Sequence, residues 1–280
     1  MGQPERSVPC EVPRVLAVAG SDSGGGAGIQ ADQKTCFALG VHLTAAVTAV
    51  TAQDGEGVAA VYPLPPEAVT AQMEAAARLG VHAVKTGMLW SAAIVEAVAE
   101  AVSALRLPNL VVDPVLAAGT GAPLLEEAAR GPLLERLFPL ALAVTPNVPE
   151  AEALAGLPIR DEVDLRRAAH RLRALGPRWV VVTGGHLPGG RDALDLLYDG
   201  EAFYELRGER LPVGPVHGAG CTFSSALAAG LARGLPVPEA ARLAKDYTAS
   251  AIRHRLALGP GRPSVNHWGN RWFAYGRTSA

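Results

Sequence analysis

Val15-Leu16-Ala17-Val18-Ala19-Gly20-Ser21-Asp22-Ser23-Gly24-Gly25-Gly26-Ala27-Gly28-Ile29-Gln30-Ala31-Asp32 is the stretch that decides the fold. Its first five residues are apolar without alternation, the pattern of a strand buried on both faces and therefore of a parallel sheet covered by helices. The chain then passes through a glycine cluster, which lets backbone approach a ligand closely and presents amides at the start of a helix. The glycines do not have the spacing of a dinucleotide-binding GxGxxG fingerprint, and no GxxxxGK[ST] loop is present.

Moving outward, the same unit recurs. Short apolar runs at Ala46–Thr51, Ala83–Lys85, Leu110–Val112, Leu142–Thr145 and Trp179–Thr183 predict further buried strands. Between them, Pro66–Leu79, Ser91–Leu105, Asp161–Leu175 and Pro238–Leu256 predict helices, several opening on Pro, Ser or Asp. Strand-helix alternation with right-handed crossovers gives a three-layer α/β/α, doubly wound, mostly parallel sheet. Gly57–Tyr62 and the pair of runs across Leu194–Arg207, which turn at Asp199-Gly200, break the alternation and predict extra strands at the sheet edges. With no linker, repeat or charge block, residues 13–267 read as one domain, preceded by a flexible extension at 1–12 and followed by a tail at 268–280.

Composition narrows the class. The 280 residues are 49% hydrophobic and 19% charged, which excludes a disordered chain. A formal net charge of -2 leaves no footprint for nucleic acid or an anionic membrane. Three cysteines (Cys10, Cys36, Cys221) without CxxC or Cys/His spacing argue against zinc and for a reducing compartment. No run is long enough to span a bilayer and the N-terminus is polar, so a cytoplasmic protein is expected. Of the 25 basic residues only Lys34, Lys85 and Lys245 are lysine, so each invites a question.

Ligands of open α/β sheets bind at the carboxyl ends of the strands, and those junctions carry the polar residues. His217-Gly218-Ala219-Gly220-Cys221-Thr222 leads directly into an Ala/Leu-rich helix, so its first amides form an anion hole backed by the helix dipole. Cys221 falls in the first turn, where a thiol pKa is expected to drop and supply a base or nucleophile; the alternative is a small residue closing a helix start. Asp113 and Glu150 end neighbouring junctions, Val111-Val112-Asp113-Pro114-Val115 and Thr145-Pro146-Asn147-Val148-Pro149-Glu150, and their oxygens beside an anion hole would suit Mg²⁺. Equally, Asp113 turns the chain before Pro114 and Asn147 caps the next helix. Asp32 either favours the helix dipole or faces a bound hydroxyl. No G-x-S-x-G elbow or Ser-His-Asp order supports a hydrolase.

Taken together, Gly20 through Thr35, Thr51-Ala52-Gln53, Lys85-Thr86-Gly87-Met88-Leu89, Asp113-Pro114-Val115, Thr145 to Ala151, Gly184-Gly185-His186, His217 to Thr222, and Gly259-Pro260-Gly261 with Val265-Asn266-His267 resemble, in order, the hydroxymethylpyrimidine/phosphomethylpyrimidine kinases of thiamine biosynthesis, within the ribokinase-like superfamily. That resemblance implies ATP-dependent phosphorylation of 4-amino-5-hydroxymethyl-2-methylpyrimidine and of its monophosphate. It implies a substrate site of Gly20, Ala27, Asp32, Gln53, Met88 and Val115. ATP would lie by Asn147, Thr183 and Gly185 with its γ-phosphate over Gly218, Ala219, Gly220 and Cys221. Asp113 and Glu150 would place Mg²⁺, and Cys221 would be the base. A monovalent cation and a homodimer are compatible with the same resemblance.

The chain departs from the family's pattern at three places. Thr183 stands where a lysine is usual, as in pyridoxal kinases; Gly119-Thr120-Gly121 replaces a Lys-Ser-Gly; and Ala219 replaces a threonine. Charge neutralisation over the phosphates must then come from Mg²⁺, an arginine or backbone amides. Two other readings follow from these departures: a pyridoxal or pyridoxine kinase of the same fold, and a non-catalytic pyrimidine-binding protein.

Overall fold

A computed structural model of the chain describes residues 11–185, 187 and 192–268. Cys10, His186 and most of the expected terminal extensions lie outside the described residues.

The opening stretch folds as expected. Strand β1 (Arg14–Asp22) runs into the glycine loop and then helix α1 (Gly28–Ala38). The strands β2 (His42–Gln53), β4 (Ala83–Thr86), β5 (Leu110–Val112), β6 (Ala143–Val144) and β7 (Trp179–Gly184) join β1 in a parallel centre. β3 (Val58–Pro63) adds antiparallel to β2 at one edge, and the hairpin β8 (Asp192–Tyr198) and β9 (Phe203–Glu209) adds antiparallel to β7 at the other. The resulting nine-stranded order is β3-β2-β1-β4-β5-β6-β7-β8-β9. Both breaks in the alternation are thus edge extensions.

Successive residues of the central strands enter opposite layers, as the pleat requires. Leu16, Val18, Val84, Val112, Val144 and Val180 face one layer, formed by α2 (Pro66–Ala77), α3 (Ala92–Ala104), α5 (Val148–Ala155) and α6 (Glu162–Arg173). A short broken helical stretch, whose α turn α4 is Arg130–Pro132, completes that layer. Val15, Ala83, Val111, Ala143 and Val181 face the other, formed by α1, α7 (Ala219–Ala232) and α8 (Val237–Arg253). Burial of each larger aliphatic side chain contributes about 1.5–3 kcal/mol, so the two clusters supply the fold's main driving force.

Helix starts follow the expected chemistry. Ser91 and Asp161 accept hydrogen bonds from first-turn amides of α3 and α6, and Asn147 closes a full capping box with Glu150 at α5. α7, like α1, α2 and α8, has no side-chain cap, and its N-cap is Gly218 in the left-handed region (φ 87°). Its first amides stay available, at the carboxyl end of the parallel strands.

Candidate active site

Strand parity brings the polar residues to one place. Lys85 shares its side of β4 with Ala83, so it points into the layer of α1 and α7. There it meets Asp32 of α1, with Nζ 2.9 and 3.0 Å from the two carboxylate oxygens, and neither side chain is exposed. Ser225 of α7 donates to Asp32 Oδ1 at 2.6 Å, and Ser224 donates to Asp113 Oδ2 at 2.8 Å. Burial opposes the Lys85 charge, yet Asp32, Cys221 and Asp113 around it hold its pKa above the ordinary lysine value. The layer beneath α7's first turn is therefore a closed network built around one cation.

This corrects the expectation for Asp32. Its carboxylate is fully buried and engaged by Lys85 and Ser225, so it supports the site from below instead of hydrogen-bonding a pyrimidine. The expectation for Cys221 is corrected too. Burial pushes its thiol up to about 12, with the charges of Asp32 and Asp113 adding to the rise, against the opposing pull of Lys85 and the Gly28 amide. Desolvation outweighs the helix N-terminus, and in the free chain Cys221 is a neutral thiol.

Asp113 and Glu150 do converge. Burial and the Asp113 charge push the Glu150 carboxyl up to about 8, and burial also raises Asp113, partly offset by Lys85 and Ser224. The Asn147 amide donates to Glu150 Oε2 at 3.0 Å, which fixes that carboxylate's direction. Two buried, mutually repelling oxygen-donor groups beside free amides fit a hard divalent cation that also binds phosphate and water. Asn147, expected near ATP, uses its Oδ1 to cap α5 and pairs in register with Thr183, whose amide donates to Pro146 O at 3.0 Å. Gly185 follows, exposed and with open space beside it.

On the other side of α7's start lies the glycine loop. Asp22 Oδ2 accepts from the amides of Gly26 and Ala27 at 3.0 and 2.8 Å, and Oδ1 from Gly24 at 2.8 Å. It also hydrogen-bonds His217 Nε2 at 2.8 Å. Burial would raise Asp22, but His217 and these amides hold it below the usual carboxylate range. Gly218 is pressed so tightly on the Gly26 carbonyl that a β-carbon would overlap it, so the glycine loop and the start of α7 are one unit. Gln53 reaches the same place, its Nε2 3.4 Å from His217 Nε2 and its Oε1 3.3 Å from the Thr51 hydroxyl. Next to it, Met88 packs with Ala49 and Leu124, with Val115 against them, and a β-carbon at Gly20 would approach Met88 Sδ to 2.9 Å. Of the residues expected at the substrate, Gly20, Met88 and Val115 lie together, Gln53 lies beside His217, and Ala27 is at the N-cap of α1 with its amide held by Asp22.

Beside the residues given a role above, the structure brings Asp22, His217, Lys85, Ser224 and Ser225 to this place. A lysine in an apolar strand and two serines in an Ala/Leu helix were the signals available.

With this geometry in place, the family described as Phosphomethylpyrimidine kinase matches residues 22–266. The chain belongs to that family. It is 50% identical over 260 residues to the hydroxymethylpyrimidine/phosphomethylpyrimidine kinase of Streptomyces coelicolor, covering 92% of this chain and 96% of the relative. The Haemophilus influenzae kinase of the same name is 45% identical over 262 residues, covering 92% and 97%. Among solved structures, an ADP complex of Bacillus subtilis pyridoxal kinase aligns with TM-score 0.86 at 37% identity, covering 94% of this chain and all of that one. Clostridium difficile phosphomethylpyrimidine kinase aligns with TM-score 0.77 at 39% identity, covering 86% and 100%. The three-layer, ribokinase-like fold is thus shared with kinases of both names. Among the described residues no helix is long and apolar enough to cross a membrane.

Proposed function

We propose that the chain transfers the γ-phosphoryl group of ATP to the hydroxymethyl group of 4-amino-5-hydroxymethyl-2-methylpyrimidine, and then a second phosphoryl group to the resulting monophosphate. The observation that carries this reading is the uncapped first turn of α7 set between Asp113, which Ser224 reaches, and the glycine loop, on which Gly218 is pressed. Kinase membership of the family and a neighbour solved with ADP support it.

In this reading the amides of Ala219, Gly220 and Cys221 stabilise charge on the transferring group, a contribution of about 10²–10³ in rate for one well-placed donor elsewhere. Asp113 and Glu150 hold Mg²⁺, which when bound neutralises phosphate charge. Asn147, Thr183 and Gly185 border the nucleotide. The acceptor's proton goes to Cys221 Sγ, and Lys85 is the group whose charge favours the thiolate against burial. Cys221 Sγ accepts that proton only as the thiolate, once its own proton has left to solvent, and because phosphoryl transfer passes through a loose transition state the step rests chiefly on positioning and charge neutralisation.

The wild-type chain should consume ATP with Mg²⁺ on the pyrimidine and on its monophosphate, with products identified by mass. Thr183 and the likeness to pyridoxal kinases favour a second reading, turnover of pyridoxal. Turnover of pyridoxal alone would replace the first reading with the second. Binding of the pyrimidine without ATP consumption would overturn both. Tyr62 on edge strand β3 and Val50 on β2 are exposed, and a homodimer through that edge, in the cytoplasm, completes the proposal.

A further inference from the structure

Each of the three lysines already has a partner within the protein. Lys34 Nζ donates to Gly25 O at 2.7 Å, and Lys85 and Lys245 are buried in ion pairs. The loop following Asp113 carries glycine at 119, with no cation of its own. A β-carbon at Gly119 would lie 2.6 Å from Arg262 Nη1, so a guanidinium fills the space a side chain at 119 would enter.

Arg262 is held there by its backbone. Its amide donates to Gly55 O at 2.8 Å, and the next residue, Pro263, accepts from the His217 amide at 2.9 Å. Gly261, with φ 86°, lies so close to the Gly55 carbonyl that a β-carbon would overlap it. The arginine therefore starts beside the residue that leads into the anion hole and ends at the loop that follows Asp113. It is half-buried, and among the described residues its side chain makes no hydrogen bond or ion pair. Other arginines, such as Arg14, Arg207 and Arg253, do have partners. A partly desolvated guanidinium with its donors unused is a ready site for phosphate, whose geometry it matches with paired hydrogen bonds.

We propose that Arg262 contacts phosphate in this enzyme, occupying the room left by Gly119 and supplying the cation that its lysines do not. The inference deepens the kinase reading and rests on it for the identity of the phosphate, which belongs either to ATP or to the monophosphate acceptor.

The test compares the full-length wild type with Arg262→Gln, Gly119→Lys and the double variant. It measures kcat and KM on both acceptors, calorimetric Kd for ATP and for the pyrimidine monophosphate, and thermal midpoints. Arg262→Gln should weaken a phosphate-bearing ligand by about ten- to a hundredfold with an unchanged midpoint. Adding Gly119→Lys to it should recover most of that loss, because the amine enters the vacated space. A loss on both acceptors identifies the ATP phosphates; a loss confined to the monophosphate identifies the acceptor's. Wild-type Kd and kcat in Arg262→Gln would overturn the proposal, as would a loss that follows a lowered midpoint and is not rescued by lysine at 119. A wild type that binds in an Arg262-dependent way without turnover would sink the kinase reading and keep this one.

Discussion

Two buried lysine-aspartate pairs sit on opposite halves of the sheet and do different things with the same contact. Lys85 lies 2.9 Å from Asp32 Oδ1, and Lys245 of α8 lies 2.9 Å from Asp195 Oδ2 of β8. The second pair is a staple. Its ammonium also donates to Ala193 O, and Asp195 Oδ1 accepts from the Gly184 amide at 3.0 Å, so it ties α8 to the edge hairpin and steadies the strand end before Gly185. The first pair has a thiol, a second carboxylate and two serine hydroxyls around it. A buried ion pair contributes little net stability by itself, since desolvation offsets the attraction. What distinguishes the two is what else feels the charge.

Replacements that break each pair should expose that difference. The largest effect is expected at Cys221, which only the first pair faces: Cys221→Ser should lower kcat by about 10²–10⁴ while the thermal midpoint hardly moves. Next is Lys85→Met, which leaves Asp32 buried and unpaired and should cost about 3–5 kcal/mol in urea unfolding. It should also slow alkylation of Cys221 by iodoacetamide. In the wild type, with the thiol pushed up to about 12, that rate should climb tenfold per pH unit well past pH 9. A plateau near pH 8 would show a stabilised thiolate and contradict the burial argument.

Lys245→Met should cost a comparable few kcal/mol yet leave kcat within about threefold, and Lys245→Met with Asp195→Leu should recover much of the stability. Equal losses of kcat from the two lysine variants would erase the distinction between staple and charge source. The smallest effect concerns His267, which packs beside α7 with Nε2 3.2 Å from the Thr222 hydroxyl. Burial lowers its pKa to about 4 from 6.5, with the Lys34 charge adding to the shift. The unfolded chain then binds more protons between these values, so stability falls as the pH drops from 6.5 towards 4 and is constant below. The fall is about 2 kcal/mol by pH 5, and the difference between wild type and His267→Gln in urea titrations at pH 7 and pH 5 should reveal it.

How much was legible in the chain follows from the range of each signal. The strands are set by unbroken runs such as Val15–Ala19, and the edge hairpin by Asp199-Gly200, all of which are local patterns. The uncapped start of α7 was legible for the same reason, because Gly218-Ala219-Gly220 runs directly into its helix. The misreadings concern charge in a buried setting. A first-turn position lowers a thiol pKa only where its pull exceeds desolvation, and nothing near Cys221 in sequence announces the burial and the Asp32 and Asp113 charges that raise it despite Lys85. Asp32 looked like a ligand contact because its partner Lys85 is 53 residues away on another element. Arg262 was hidden likewise, since only the fold brings it to Gly119.

The hydrogen bond between Asp22 and His217 joins residues 195 positions apart. The glycine loop is made from the first strand, whereas the turn it leans on comes after the whole parallel centre has been laid down. Contacts of such separation carry a large loop-closure cost and form late. A nascent chain that has completed the sheet through β7 therefore still lacks the turn on which its glycine loop closes. On the proposed reading, competence comes only when nearly all of the polypeptide has been synthesised and α7 has closed on the opening loop, so an incomplete chain would have no means of turning over ATP.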